Sequence, residues 1–412
     1  MSSVLFLQGP LGPFFAKLAR HLSRRGVSTH RINFNGGDRC FGWADYQVDF
    51  TGRDGEWPGF LRSYLREHGI TAVLVYGDCR LYHRLARQVC KELGVFFGVF
   101  EEGYLRPDFV TLEWGGVNAY SGTDWSRPAI DSYRSVGRCG PSRKIGLTFW
   151  QRAWFAIAYY LSARFHRARF PHYQHHRNRD WKAETGCWLL SFWRKGLYKV
   201  TQRRILPRLV SNFSGRFFLF PLQTCDDFQI RTHSDLLSIE HSIDVVITSF
   251  AANAPPGELL VIKHHPMDRG FRHYGKLIDT LARQRGVGDR VVYGHDLHLP
   301  SLLKHARGVV TINSTVGISA LLHGVPTKVL GRALYDMPGL THQGDLHGFW
   351  RHPDPVDQAL FRRFRTYLYE RTQLDGSFFK YIDITVEAAC HHLLPVIAAK
   401  PAAEAIVSEA AY

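Results

Sequence analysis

Short runs of β-branched and aromatic residues alternate along this chain with longer stretches whose apolar positions recur every three or four residues. A run of the first kind suits a strand buried on both faces, and a stretch of the second kind suits a helix with one apolar side. Val4–Gln8, Val27–Phe34, Thr71–Tyr76 and Val95–Phe100 are thus predicted strands of the first half, with helices over roughly Pro13–Arg24 and Leu81–Leu93. In the second half the predicted strands are Phe217–Pro221, Leu259–Lys263, Arg290–Tyr293, Gly308–Ile312 and Thr327–Leu330, with helices near Ser234–Phe250, Phe271–Arg285 and Thr315–His323. This alternation predicts an α/β fold of parallel sheets covered by helices. Two Rossmann-like units are expected, 1–150 and 211–345, joined through a segment 151–210 and followed by C-terminal helices over 346–412, with the Ala-rich end from Ala398 a last helix or a frayed tail.

The length of 412 residues fits two domains, and 45% hydrophobic residues exclude a disordered or fibrous chain. Seven scattered cysteines, none in C-x-x-C spacing, indicate neither a disulfide framework nor a zinc site. No HExxH or D-x-D motif is present, so no metal is expected. The longest uncharged stretch, Gly308–Thr327, carries Asn313, Ser314, Thr315, His323, Pro326 and three glycines, which suits strand, turn and helix and not a membrane span. Met1-Ser2-Ser3 leads into apolar residues without a basic leader, which gives the cytosol as the expected compartment. The net charge of +16 changes this picture by its placement. Residues 151–210 hold thirteen Lys or Arg against Asp180 and Glu184, interleaved with aromatics such as Trp154, Tyr159, Tyr160, Trp188 and Trp193. Such interleaving suits a membrane interface, with Trp154 at headgroup level and Arg164, Arg167 and Arg169 on anionic phosphates. It also suits nucleic acid, or a helical hairpin with its aromatics packed inward.

Ligands of open parallel sheets bind beyond the carboxyl ends of the strands, so polar residues there are the candidates for chemistry. After the first strand comes Gln8-Gly9-Pro10-Leu11-Gly12, whose glycines let a backbone approach a ligand phosphate. After the second comes Asn35-Gly36-Gly37-Asp38, suited to a polyol or to a plain turn. Glu101 and Glu102 end the Val95–Phe100 run; adjacent carboxylates repel, which raises one toward the range useful for proton transfer. In the second half Gln223 to Ile230, Lys263-His264-His265-Pro266 and Asn313-Ser314-Thr315 each follow a strand. Lys, His and Ser at one rim with a helix start behind them make an anion site suited to a nucleoside-monophosphate leaving group held without metal.

Taken in order, FLQGPLGPFF, INFNGGD, EEGYLRPDFVTLEWGGVNAYS, PLQTCDDFQIRTHS, IKHHPMDRGFRHY and TINSTVGISALLHGVPTKVLG resemble the capsule polysaccharide biosynthesis/export family over residues 4 to 345. Within it they are similar to the lipid-priming β-Kdo transferases of Gram-negative capsule assembly. The resemblance implies a GT-B-like fold, two Rossmann-like domains facing a cleft, with the basic aromatic helices inserted between them. It implies CMP-β-Kdo as donor, retention of configuration, no cofactor, and a phosphatidylglycerol or lyso-phosphatidylglycerol acceptor at the inner face of the inner membrane. Other capsule assembly proteins, including the linker-extending Kdo transferase, are the partners it implies, and nucleic acid is not among them. Residues 1–150 would then be the acceptor domain, with Gln8, Gly9, Asn35, Gly36, Gly37 and Asp38 at the acceptor, and 211–345 the CMP-sugar domain. His265 and Ser314 would hold the CMP phosphate or the Kdo carboxylate, with Lys263, Pro266, Asn313, Thr315, Gln223 and Gln229 around them. Asp227 matches the acid of the family's D-x-Q-I stretch and is expected to be the nucleophile, with Asp226 at a variable position and Glu101 or Glu102 as the base. A nucleotide-sugar epimerase of similar shape and a basic nucleic-acid-binding protein are the alternative readings.

Overall fold

The computed structural model describes residues 2–137, 143–173, 181–224 and 238–398. Its strands, in chain order, are β1 (Ser3–Phe6), β2 (Ser28–Asn33), β3 (Tyr46–Asp49), β4 (Ala72–Tyr76), β5 (Phe96–Glu102) and β6 (Phe109–Trp114). They continue with β7 (Phe217–Pro221), β8 (Leu259–Lys263), β9 (Val291–Gly294), β10 (Gly308–Thr311), β11 (Thr327–Val329) and β12 (Gln373–Asp375).

The first sheet runs β12-β6-β5-β4-β1-β2-β3. Its β3, β2, β1, β4 and β5 are parallel, whereas β6 lies antiparallel to β5 and β12 antiparallel to β6. Helices cover both faces, which is why β1 and β4 are unbroken apolar runs. On one face Phe14, Phe15 and Leu18 of the helix Phe14–Ser23 pack with Phe6, Phe100, Phe378 and Leu393. On the other, Trp57, Leu61, Tyr82 and Val89 of the helices Trp57–Glu67 and Leu81–Leu93 pack on Leu5, Ile32 and Val99. Gly94, at φ +66°, ends the second of these in the left-handed conformation that a side chain disfavours.

The second sheet, β11-β10-β7-β8-β9, is parallel throughout. The helices Ile239–Asn253 and Gly275–Gln284 cover one face together with Phe349 and Trp350, and Leu209, Leu302, Leu303 and Ala320 cover the other. Trp350 crosses Phe218 of β7 and Phe250 edge to face, at 4.9 and 5.4 Å between centroids, and its indole N–H donates to Ser249 Oγ at 2.9 Å. Two Rossmann-like units in succession are the α/β class expected of a GT-B-like chain.

The chain divides differently from the expected boundaries. One compact unit comprises Met1–Asp124, Arg134–Asn178 and Tyr367–Tyr412, the other Trp125–Tyr133 and Arg179–Thr366. The segment 151–210 is therefore shared out: the helix Phe149–Phe165 belongs to the first unit, and the helices Trp181–Thr201 and Ile205–Asn212 to the second. The end of the chain returns to the first unit, because β12 pairs with β6 and the helix Ile382–Ala398 lies beside Phe14–Ser23. No helix among the described residues is long and apolar enough to cross a membrane.

Because Trp350 fills the space between β7 and the helix Ile239–Asn253, Trp350→Ala should destabilise the second unit by about 3–5 kcal/mol. Trp154→Ala, at a position 67% exposed, should change stability by about 0.5 kcal/mol or less. Urea unfolding midpoints of the two variants check this, and equal midpoints would refute the packing account.

Candidate active site

In the first unit the carboxyl ends of β4 and β5 bring several acids together. Asp78, just past β4, is buried and accepts the Val117 N–H at 3.0 Å. Glu101 and Glu102 close β5 as successive residues, opposite Thr111 and Val110 of β6, so their side chains leave opposite faces of the strand. Glu101 is half-buried, and that loss of water, with the charges of Asp78 and Glu102, pushes its carboxyl up to about 7. Glu102 instead forms an ion pair with Arg152 at 3.2 Å, and that guanidinium lies 4.6 Å over the Phe379 ring. The neighbours are thus chemically unlike. Glu101 has its carboxyl pushed up, and Glu102 sits against a cation.

Glu113 of β6 joins this group without any cue that the sequence reading used. It accepts a hydrogen bond from Tyr104 Oη at 2.7 Å and another from Ser121 Oγ, and burial still pushes it up to about 7. A carboxylate inside the strand run Phe-Val-Thr-Leu-Glu-Trp of 109–114 is the signal that would have found it.

The glycine-bearing turns expected at the acceptor are brought together, with a different result. Asp38 is buried and accepts from the Phe34 N–H at 3.0 Å, Gln8 Nε2 at 3.1 Å, Asn35 Nδ2 at 3.2 Å and Tyr159 Oη at 3.0 Å. Gln8 also donates to Tyr173 Oη at 3.1 Å, and Asn35 caps the short helix Gly36–Cys40 by accepting from the Gly37 and Asp38 amides. A Cβ on Gly37 would lie 2.6 Å from the Tyr159 ring, one on Gly12 2.6 Å from Phe155, one on Gly9 2.8 Å from Phe15, and one on Gly36 would meet the Ser162 carbonyl. Gln8, Gly9, Asn35, Gly36, Gly37 and Asp38 therefore meet the helix Phe149–Phe165 and the Phe15 ring. Their polar atoms bond to one another and to the hydroxyls of Tyr159 and Tyr173.

In the second unit three adjacent strands end on the expected residues. Gln223 follows β7 and Asn313 follows β10, and they bond reciprocally: Gln223 Nε2 donates to Asn313 Oδ1 at 2.9 Å, and the Asn313 amide donates to Gln223 Oε1 at 3.2 Å. Ser314 Oγ accepts the Val316 N–H at 3.2 Å, which shapes the turn of Asn313, Ser314 and Thr315 into the helix Val316–Leu322. Lys263 ends β8 with its amine buried, and burial lowers its proton affinity. His264 is buried beside Tyr293, at 2.7 Å from its hydroxyl, and is pushed down to about 3, so it is neutral. His265 is half-buried, and its Nδ1 accepts the Met267 N–H at 3.3 Å where Pro266 opens a short 3-10 turn. Lys263 and His265 thus stand side by side at this edge, with neutral His264 behind them.

The loop carrying them is held by the helix Trp181–Thr201. Arg194 donates to the Arg269 carbonyl at 2.7 Å, Tyr198 stacks on His295 at 3.8 Å, and Gln202 just beyond the helix bonds His295 at both its backbone N–H and its Nδ1. His295 and Asp296 also stand past the end of a strand, β9, a position that would have singled them out. Asp226, Asp227 and Gln229 lie outside the described residues. Of the expected membrane-facing residues, Trp154 is exposed, Arg164 ends the helix Phe149–Phe165, and Arg167 and Arg169 follow it, the last paired with Asp49.

Gly37→Ala should destabilise the first unit by about 1–3 kcal/mol, since the new methyl must displace Tyr159. Gly59→Ala, in the helix Trp57–Glu67 with nothing within 4 Å, should stabilise it by about 0.5–1 kcal/mol. Opposite signs in urea unfolding are the expected result, and a neutral Gly37→Ala would show that the turn and helix do not meet closely.

Residues 71–379 match the capsule polysaccharide biosynthesis protein family. The chain is similar to the capsule polysaccharide export protein KpsS of Escherichia coli, 44% identical over 382 residues that span 91% of this chain and 96% of that one. It is also similar to the capsule polysaccharide modification protein LipB of Neisseria meningitidis serogroup B, 38% identical over 402 residues, 96% of each chain. A solved β-Kdo 2,7-transferase of Thermosulfurimonas dismutans KpsC aligns with 95% of this chain and 99% of its own, at 13% identity and a TM-score of 0.46. With most of its length matched at this level, the chain belongs to the capsule polysaccharide biosynthesis protein family.

Proposed function

We propose that the chain is a retaining glycosyltransferase that moves β-Kdo from CMP-β-Kdo to a phosphatidylglycerol or lyso-phosphatidylglycerol acceptor and so starts the poly-Kdo linker of a capsule. Membership of the family supports the setting. The observation that carries the chemistry is the unlike pair at the end of β5, Glu101 pushed up to about 7 beside Glu102 paired with Arg152. An acceptor hydroxyl needs a base of this kind, and a binding module does not.

In this reading the Asp227 carboxylate attacks the ketosidic carbon of Kdo, and the bond to the CMP oxygen breaks with its electron pair leaving on the phosphate. The acceptor hydroxyl then attacks the same carbon, Glu101 takes its proton, and the ester to Asp227 breaks, so two inversions restore the configuration. Lys263 and His265 stabilise the departing phosphate. Pro266 shapes their turn, and Gln223, Gln229, Asn313, Ser314 and Thr315 bind the rest of the donor. No metal takes part in these steps. The enzyme works at the cytoplasmic face of the inner membrane, with Trp154, Arg164, Arg167 and Arg169 toward the lipid and other capsule assembly proteins, including the linker-extending Kdo transferase, beside it.

Incubation of the full chain with CMP-Kdo and short-chain phosphatidylglycerol, read by mass spectrometry, should give a lipid carrying Kdo and free CMP. Asp227→Asn should abolish transfer, His265→Ala should slow it by about 100-fold, and intact-protein spectra should place any Kdo adduct on the peptide holding Asp227. Release of CMP and free sugar with no lipid product would favour an epimerase-like enzyme. Full activity of Asp227→Asn would remove the nucleophile.

Transfer should also rise with pH through about 7, as Glu101 loses its proton. The sign for stability is opposite. A carboxyl raised in the folded state favours folding below its unfolded pKa, and that contribution is lost as pH climbs through about 7. Glu101→Gln should therefore lose transfer and lose this fall in stability, as read by pH–rate and pH–melting profiles. A Glu101→Gln variant that keeps the wild-type limb in both profiles would reassign the base.

A further inference from the structure

The Glu102–Arg152 pair also borders a cavity of the first unit. Glu102, Arg106, Thr148, Arg152, Ser377 and Phe379 are among the residues lining a cavity of about 140 Å³. Two guanidiniums against one carboxylate leave it one positive charge in excess. Pockets for drug-sized ligands are roughly 300–1,000 Å³, so this one admits a head group and not a nucleotide. Arg106 is fixed in the wall by donating its Nε proton to the Gly103 carbonyl at 3.2 Å, and Arg152 by its pairing with Glu102 and its place over Phe379.

Thr148 and Arg152 stand at the start of the helix Phe149–Phe165, and that helix has two distinct sides. Phe155, Tyr159 and Ser162 pack on Gly12, Gly37 and Gly36. Trp150, Trp154, Ile157, Leu161 and Phe165, spaced by four, three, four and four residues, form a single stripe on the opposite side and are 52–80% exposed. At 1.5 Å per residue the stripe is about 22 Å long, more than the ~15 Å depth of one hydrocarbon leaflet. A helix with one side bound to the protein and the other apolar lies along an interface and does not cross it.

We propose that the cavity binds the phosphoglycerol head of an anionic phospholipid while the outward stripe of the helix Phe149–Phe165 lies among the acyl chains, so that this helix holds the lipid beside the end of β5. A phosphodiester carries one negative charge, which matches the excess of the cavity; Arg106 and Arg152 hold it bidentately, and Glu102 accepts a glycerol hydroxyl. The inference rests on the transferase reading for the role of the lipid, and on the cavity and the stripe alone for its binding.

The test is calorimetric titration of the full chain with dihexanoyl phosphatidylglycerol below its micellar concentration, dihexanoyl phosphatidylcholine, and glycerol 3-phosphate. Phosphatidylglycerol should bind about tenfold or more tightly than either of the others. Arg106→Gln and Arg152→Gln should each weaken it by about tenfold, with Arg106→Lys recovering part of the loss and circular dichroism confirming the fold. Trp150→Ser with Trp154→Ser should weaken the lipid and leave glycerol 3-phosphate unchanged. Unaltered lipid binding in both Arg→Gln variants overturns the site, and equal binding of glycerol 3-phosphate with no effect of the Trp variants overturns the lipid in favour of a free phosphate. A chain that binds the lipid through these residues but transfers no Kdo overturns the transferase reading and leaves this inference standing. Transfer with an unchanged KM for the lipid in both Arg→Gln variants overturns this inference alone.

Discussion

Asp38 is a buried carboxylate, and a buried charge without donors costs several kcal/mol. Its partners come from three distant stretches: Gln8 after β1, the Phe34 amide and Asn35 after β2, and Tyr159 from the helix Phe149–Phe165. Satisfying that one group therefore fixes where the helix lies. Gly36 and Gly37 follow from the same demand, since a side chain at either would hold the helix away and leave Asp38 short of the tyrosine hydroxyl. The outward direction of Trp154 and the approach of Arg152 to Glu102 are then consequences of an anchor on the opposite side of the helix.

The contrast between Glu101 and Glu102 has an equally simple origin. Successive residues of a strand point to opposite faces, so two acids adjacent in sequence enter two environments. Glu101 turns toward Asp78 and away from water, which favours its neutral form; Glu102 turns toward Arg152 at the start of the anchored helix. Their mutual repulsion adds to this asymmetry without creating it. On the second unit two neighbouring histidines likewise enter two environments, His264 buried and neutral and His265 half-buried.

What was legible in the sequence was local. Phe217–Pro221, Leu259–Lys263 and the helix Leu81–Leu93 lie where the apolar pattern puts them, because a strand buried on both faces or a helix with one buried side imprints its period on the residues. The strands β3, β6 and β12 escaped that reading for physical reasons: Tyr46–Asp49 is a half-exposed edge with polar composition, Phe109–Trp114 has its apolar run broken by Thr111 and Glu113, and Gln373–Asp375 is three residues long and exists by pairing with β6 some 260 positions earlier. The helix Trp57–Glu67 escaped because its opening Trp-Pro-Gly looks like a turn. At the site, Lys263, His265 and Asn313 could be found as polar residues at strand ends. The fate of Asn35 to Asp38 could not, since glycines that admit a ligand phosphate and glycines that admit a helix carry the same local signature.

The basic aromatic segment shows the same limit from the other side. Its composition suited lipid, nucleic acid and an inward-packed hairpin alike, because composition does not record direction. The helix Phe149–Phe165 divides its aromatics by face, with Phe155 and Tyr159 against the first unit and Trp150, Trp154 and Phe165 outward. The helix Trp181–Thr201 does likewise in the second unit, with Tyr198 on His295 and Leu189, Phe192 and Trp193 outward. An outward row of large apolar side chains on one helix is an accident that a surface tolerates. The same division on two helices, each anchored through polar bonds to a different sheet, places apolar surface where the anchors prevent it from turning inward. Burial inside either unit is closed to those side chains, and the hydrophobic free energy of both rows is available only to something that covers them from outside.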